Sequence, residues 1–475
     1  MKNWFFVAVI ILTFIFLRWF NLDHSLYFQN DMGRDFLVLY DWQQSGKPPL
    51  LGPQNSQIGF NQSPIYFYFF FPLFILSQHS LYTTNIILTL IYLSTFCIGV
   101  YYFRKDSTKL IILTLLGLLF TIQPQMILQQ RYIWNPSFVP LFLAVSYVFF
   151  LQMQIHFSKK NVLLFGLALG LAVGMNLSAI PALIGYLFLT ILLFRKDLKK
   201  LLLSFLSVII GLILVFLPVI IFEIKYQFQM SKRVIDQISS GGISSAIPIW
   251  GKTVSLSELL LQSVPFQSFV LLVLIGICFF LAFKAKKTIL GSLEGNANAQ
   301  ALFLFLVSSS LIILAPFPLE AHYIFASLTF LLIMISTLPQ KAAIITSVML
   351  VYFWLQPALL TSYFLAAPRS LAQTTSCLET FCQQQTEPLF VSVISNTHNY
   401  HYGPEFRYLL KEYGCQIKNI ETEPNAAEHM AVVADGAEFK LGETNYFELE
   451  MFGEVNNEQV TDCFDKLQIH VLQRK

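Results

Sequence analysis

Leu201–Phe222 reads LLLSFLSVIIGLILVFLPVIIF, 22 consecutive residues without a charge. A helix of about 20 apolar residues crosses the hydrocarbon of a bilayer, so this stretch points to a membrane protein. Outward from it, comparable runs occupy 4–20, 81–103, 109–128, 137–157, 161–176, 178–194, 266–283, 300–317, 322–339 and 342–362, which makes eleven predicted spans in all. The 161–194 run is broken near Gly174, Asn176 and Pro181, and the parity of the span count rests on that break. Ile65–Leu76 is apolar too, but its 12 residues suit an interfacial or re-entrant helix rather than a span.

Charge divides the 475 residues in two. Residues 1–365 hold 22 Lys+Arg and 11 Asp+Glu, while 366–475 hold 8 and 16. Only the second stretch, with 24 of 110 residues charged, nears the roughly one quarter of an average soluble domain. The predicted organisation is a transmembrane domain over 1–365, with a first external loop at 21–63, and an exported soluble domain over 366–475. The fold class expected is an α-helical polytopic membrane protein of about 11 spans with a small C-terminal α/β or α+β domain. The net charge splits into +11 and −8, which excludes a basic nucleic-acid binder.

Basic residues set the expected orientation. Lys2, Arg104, Lys105, Lys109, Lys159, Lys160, Arg195, Lys196, Lys199, Lys200, Lys284, Lys286, Lys287 and Lys341 all fall on one side of the alternating spans. That side is read as cytoplasmic, which places a multi-pass protein in the plasma membrane with the N-terminus inside and the tail outside. The first apolar run is followed by Arg18-Trp19-Phe20-Asn21 rather than by small residues, so it reads as an uncleaved anchor and not a signal peptide.

In the tail, Leu389–Ser395, Met430–Ala434 and Tyr446–Met451 read as strands, and Glu405–Tyr413 and Glu458–Leu467 as helices, the first closed by Gly414. Cys377, Cys382, Cys415 and Cys463 lie in this domain; free thiols and three disulfide pairings are open. No histidine stands near Cys377 and Cys382 at zinc-site spacing.

The first loop carries Asn30-Asp31-Met32-Gly33-Arg34-Asp35, and a loop this long is usually functional. A helix is expected over 32–44, capped by Asn30 or Asp31 and stopped by Gly46. Asp31, Arg34, Asp35 and Val38 then share one face, and the apolar remainder suits a helix lying on the bilayer surface. The blander reading is that Asp31 caps the helix and Asp35 pairs with Arg34. Two further external turns carry polar groups: Arg131-Tyr132 with Asn135-Pro136, and Glu320 with His322-Tyr323. Ionisable groups at membrane depth are often functional; interfacial anchoring is the alternative for the aromatics. The 223–265 loop, with Gly241-Gly242, is read as a lid over the outer cavity. No Walker pattern or glycine-rich phosphate turn occurs, and no His- or Cys-rich metal cluster.

These stretches, with Gln62-Ser63-Pro64-Ile65-Tyr66, resemble in order and common side the integral-membrane glycosyltransferases of the GT-C superfamily. The likeness covers roughly 1–340 and runs toward the bacterial protein O-mannosyltransferase and aminoarabinose-transferase branch, of glycosyltransferase family 39 type. It implies a catalytic first-loop carboxylate, which maps onto Asp31, with Arg34 and Asp35 in support. It implies transfer of a hexosyl or pentosyl unit from a polyprenyl-phosphate donor to a hydroxyl of a glycan, lipid or protein at the external face, with inversion. Two departures matter. Gln62-Ser63-Pro64 stands where relatives often carry a lysine that meets the lipid phosphate, and Asn135 stands where many have an acid. Donor-phosphate or substrate binding then falls to Arg131, Tyr132, His322, Tyr323, Glu320, Gln62 and Tyr66. No cofactor is required by this reading; a divalent cation is admitted, with Asp31 as its ligand. The rivals are a lipid-linked glycan flippase or transporter, and an O-antigen-type ligase or polymerase. A flippase favours charges within the spans, which are scarce here.

Overall fold

The computed structural model describes residues 2–54, 60–239, 247–261, 293–316, 318–355, 369–396, 401–442, 446–464 and 467–475, with a few further positions between 270 and 280 and between 364 and 367. Helices follow the apolar runs: Lys2–Trp19, Leu81–Phe103, Ser107–Ile122, Val139–Ile155, Lys159–Met175, Ile180–Phe194, Leu198–Lys225, Ala297–Leu314, Phe325–Ser336 and Gln340–Trp354. Among the described residues, five helices are long and apolar enough to cross a membrane, and a sixth is bent. The chain is a multi-pass membrane protein. The expected span at 266–283 lies largely outside the described residues.

The bent span corrects the single run expected over 109–128. Ser107–Ile122 and Pro124–Arg131 meet at 65°. Pro124 has no N–H to continue the first helix, and the Gln123 side chain accepts from Met126 N at 2.8 Å, starting the second. Ile65–Leu76 is a separate 12-residue helix, as its length predicts.

Small residues fix the closest helix pair. A Cβ on Gly166 would lie 2.1 Å from Ser207 O, one on Gly170 2.6 Å from the carbonyl carbon of Gly211, and one on Gly174 2.0 Å from a Val215 methyl. The helix backbones therefore touch, the packing that small residues four apart permit. Residue numbers rise together on the two partners, so Lys159–Met175 and Leu198–Lys225 run parallel. The intervening Ile180–Phe194 must bring the chain back, and the break at Asn176 separates two oppositely directed helices.

By internal contacts the chain divides into residues 1–20 with 48–363, and 21–47 with 364–475. The sequence reading placed all of 21–63 with the spans; the structure folds 21–47 with the tail. Leu371 N donates to Leu26 O at 3.0 Å, Ala367 N to His24 O at 2.9 Å, and the Asn21 side chain to Phe364 O at 2.7 Å.

The tail sheet has order β1-β2-β4-β3, with β1 Leu389–Ser395, β2 His429–Asp435, β3 Val455–Phe464 and β4 Leu467–Arg474. β1 and β2 are parallel, and β4 runs antiparallel to both β2 and β3. The Pro404–Glu412 helix and its Gly414 stop (φ +90°) match expectation. Two tail readings are corrected. The expected strand Tyr446–Met451 is the helix Phe447–Phe452, which drives Phe452 into the core beside Phe390, with Leu449 packed against it. The expected helix Glu458–Leu467 is instead the greater part of strand β3 and the first residue of β4, and the Glu458 side chain meets that of His470 on the neighbouring strand at 2.7 Å.

Disulfides join Cys377 to Cys463 and Cys382 to Cys415. The second ties the Leu371–Gln384 helix to the residue just beyond the Pro404–Glu412 helix, across a sequence separation of 33. Closing a loop of that size stabilises by about 3.7 kcal/mol in the chain-entropy model. The Cys382→Ser/Cys415→Ser variant is expected to make the tail domain markedly more sensitive to limited proteolysis under non-reducing conditions. Digestion at the wild-type rate would show that the link adds no stability.

Candidate active site

The acidic cluster of the first loop sits on the helix Asn30–Ser45, which stops at Gly46 with φ +68°. The N-cap is Gln29, with no side-chain capping bond, so neither Asn30 nor Asp31 has the capping role expected of it. Asp31 instead lies in the first turn, where a negative charge meets the positive end of the helix dipole. Its carboxylate, 46% exposed, accepts from Arg34 Nη1 at 2.9 Å. Arg34 turns its other edge to Asp35, with Nε and Nη2 at 2.9 and 2.8 Å from Oδ1. One guanidinium thus bridges an open carboxylate and a fully buried one.

The apolar face of this helix does not lie on lipid as expected. Phe36 and Leu39 are completely buried, and the rings of Phe28, Phe36 and Tyr40 surround Tyr408 of the Pro404–Glu412 helix at 5.8, 5.2 and 6.5 Å. Lys411 Nζ meets Asp41 Oδ1 at 2.9 Å. At the centre of the contact, a Cβ on Gly33 would fall 2.2 Å from both N and Cα of Glu405. Only glycine lets the two backbones approach this closely. The carboxylate-bearing helix is therefore a structural part of the tail domain.

Asp35 has no exposed side-chain surface, and its Oδ2 finds no hydrogen-bond partner among the described residues. Burial pushes its carboxyl up to about 7; Arg34 opposes the shift and Asp31 adds to it. Because folding raises this value, protonation favours the folded state. That contribution is full below the ordinary carboxylate range near 4 and is lost as pH rises through about 7. The protease resistance of the tail is expected to fall between pH 5 and 8 in the wild type and to flatten in Asp35→Asn. The same slope in both proteins would remove Asp35 as its source.

The other candidates belong to the membrane-spanning unit. Arg131 is buried and donates to the carbonyls of Leu17, Arg18 and Phe20 at 3.1–3.4 Å, where the Lys2–Trp19 helix ends. A cation there is favoured by the negative end of the helix dipole. The two polar turns come together: Trp134 packs 5.0 Å from His322, His322 4.4 Å from Tyr323, and Tyr132 6.5 Å from Trp134. Glu320 is exposed, and its carbonyl accepts from Tyr323 N at 3.0 Å. Gln62 Oε1 accepts from Asn135 Nδ2 at 2.9 Å, and that amide also reaches Met175 O at 2.6 Å. Tyr66 is fully buried, with Phe67 and Phe70 at 5.5 and 5.1 Å.

Sequence reasoning missed Arg18 and Arg369. Arg18 is fully buried and holds Gln130 Oε1 at 2.8 Å; the signal was a charge at the end of an apolar run. Arg369 lies between the rings of Tyr27 and Phe406, 3.2 Å from Asp435 at the end of β2. No local pattern announces it.

Among the described residues no group of three His, Cys, Asp or Glu could hold a metal ion. The acidic pair of the first loop already has Arg34 as its counter-charge, so its donor set does not suit a divalent cation.

No family model matches the chain. No curated protein matches it. Among solved structures, the chain is similar to the crystal structure of ArnT from Cupriavidus metallidurans bound to undecaprenyl phosphate, at 12% identity and TM-score 0.64 over 98% of this chain and 97% of that one. The apo structure of the same protein also matches, at 12% identity and TM-score 0.49 with the same coverage. The first likeness spans nearly all of both chains and shows a shared fold, here a polytopic helical membrane protein with a small C-terminal sheet domain.

Proposed function

We propose that this protein is a glycosyltransferase that moves a sugar from a polyprenyl-phosphate donor to an acceptor hydroxyl at the external face of the membrane. The observation that carries the reading is the Asp31–Arg34–Asp35 cluster on a GT-C fold whose solved neighbour binds undecaprenyl phosphate. Fold alone does not specify chemistry; the half-exposed carboxylate held by an arginine supplies the chemical part. Asp31 takes the proton of the acceptor hydroxyl as its oxygen attacks the anomeric carbon. The bond from that carbon to the phosphate oxygen breaks, and polyprenyl phosphate leaves with the electron pair. A single displacement inverts the anomeric configuration. Arg34 orients Asp31, and Asp35 holds Arg34. Cationic or hydrogen-bonding groups must stabilise the departing phosphate. Arg131 is engaged with helix-terminal carbonyls, which favours an indirect role in shaping that turn.

The external placement of the tail is supported by the basic residues of alternate loops and by two disulfides, which persist in oxidising compartments. A donor labelled separately in its sugar and its lipid, supplied to protein in vesicles, distinguishes transfer from transport. The two labels are expected to part, leaving polyprenyl phosphate and a glycosylated acceptor. Labels that cross the bilayer together, with no cleavage, would replace the transferase reading with a flippase.

A further inference from the structure

A groove of about 500 Å³ runs between the helices Lys2–Trp19, Leu81–Phe103, Ser107–Ile122, Val139–Ile155 and Lys159–Met175. Its walls are side chains such as Phe14, Phe96, Leu113, Leu141, Val148 and Leu164. Along Leu81–Phe103 it extends from Tyr92 to Phe103, which is about 16 Å of helix. The volume is that of a small-molecule site, and a lining so apolar suits hydrocarbon.

The two ends differ. At one end Thr121 and Gln130 are engaged by the buried Arg18, which donates to Gln130 Oε1 at 2.9 and 2.8 Å, to Thr121 O, and to Phe120 O at 3.0 Å. At the other end the groove reaches Gln152, Lys160 and Asn161. Lys160 is exposed and makes no ion pair or hydrogen bond among the described residues. The turns that close this end also carry Arg104, Lys105 and Lys159, against a single acid, Asp106, which is paired with Lys109 at 2.9 Å. An apolar channel that opens onto an unpaired lysine among further cations complements one chemistry, an acyl chain joined to an anionic head.

We propose that this groove holds one acyl chain of an anionic phospholipid, with the lipid phosphate at Lys160. The site lies at the end of the helices where the basic turns cluster, so its lipid belongs to the leaflet facing those turns. The bound chain fills the space left between these five helices and acts as part of their packing.

Purified protein in detergent is incubated with phosphatidylglycerol or phosphatidylcholine of identical acyl chains, and retained lipid is read by native mass spectrometry. The wild type is expected to retain phosphatidylglycerol roughly fivefold better, the scale of one basic residue at a membrane surface. Lys160→Glu is expected to lose that preference, and Val148→Trp, which fills the groove, to lose both lipids. Lys160→Ala guards against misfolding of the charge-reversed variant, and should also lose the preference. Equal retention of the two lipids by wild type, or an unchanged preference in Lys160→Ala, would overturn the proposal. So would displacement of the phospholipid by equimolar polyprenyl phosphate, which would give the groove to a donor's tail.

Discussion

Asp31→Asn is expected to lower sugar transfer by 10²- to 10⁴-fold, the range a positioned general base supplies. The substitution keeps shape and one hydrogen-bond acceptor for Arg34, so the helix Asn30–Ser45 should stay docked on the tail. Asparagine cannot take up the acceptor proton. Because the side chain is half-exposed and on the open side of Arg34, its loss removes chemistry with little change in packing. Initial rates of polyprenyl-phosphate release, compared at equal protein with tail protease resistance as the folding control, measure this directly. Rates within twofold of wild type would take Asp31 out of the mechanism and leave Asp35 as the other carboxylate of the cluster.

Gly33→Ala is expected to destabilise the tail domain, although alanine is the better helix former. In an exposed helix interior the exchange would stabilise by about 1 kcal/mol. Here the new methyl would lie 2.2 Å from the Glu405 backbone, and backbone cannot swing aside as a side chain can. The two helices must separate, which weakens the packing of Phe36 and Tyr40 on Tyr408. Overpacking of this kind costs about 1–3 kcal/mol, and Gly33→Val should cost more. Protease resistance and sugar transfer should fall together, since Asp31 lies two residues away on the displaced helix. A stabilised Gly33→Ala protein would mean that the first-loop helix is not held against Glu405.

Much of the local structure is legible in the sequence, because it rests on local signals. The Asn30–Ser45 helix is bracketed by polar residues and Gly46, and Leu389–Ser395 by its flanking turn residues. The failures come from patterns that serve two periods. Tyr446–Met451 alternates apolar and acidic residues as a strand does, yet Leu449 and Phe452, three apart, share a helical face on the core. Val460, Cys463, Phe464 and Leu467 fall at helical spacing, but Cys463 is tied to Cys377 and the stretch forms the β3–β4 ladder.

Long-range relations were closed to sequence reasoning for a different reason. The docking of Gly33 on Glu405, the Lys411–Asp41 pair and the choice of disulfide partners join residues tens to hundreds of positions apart. No local pattern encodes them. The candidate site was legible as residue types: the acids with Arg34, and the aromatic turns that bring His322 to Trp134. What was not legible is that the sheet domain at the far end of the chain builds the seat of the first-loop acids. Packing on the Pro404–Glu412 helix also explains how the Asn30–Ser45 helix keeps a buried carboxylate, Asp35, beside an exposed one.

The most direct test of the account is a single-turnover experiment on protein loaded with one polyprenyl-phosphate sugar and excess acceptor, with the bound lipid identified by mass spectrometry. Wild-type protein should hold polyprenyl phosphate after mixing, while Asp31→Asn, at equal occupancy, should still hold the intact sugar-lipid. The same lipid in both proteins, whether cleaved or intact, would contradict the claim that Asp31 is the base of a polyprenyl-phosphate-dependent transferase.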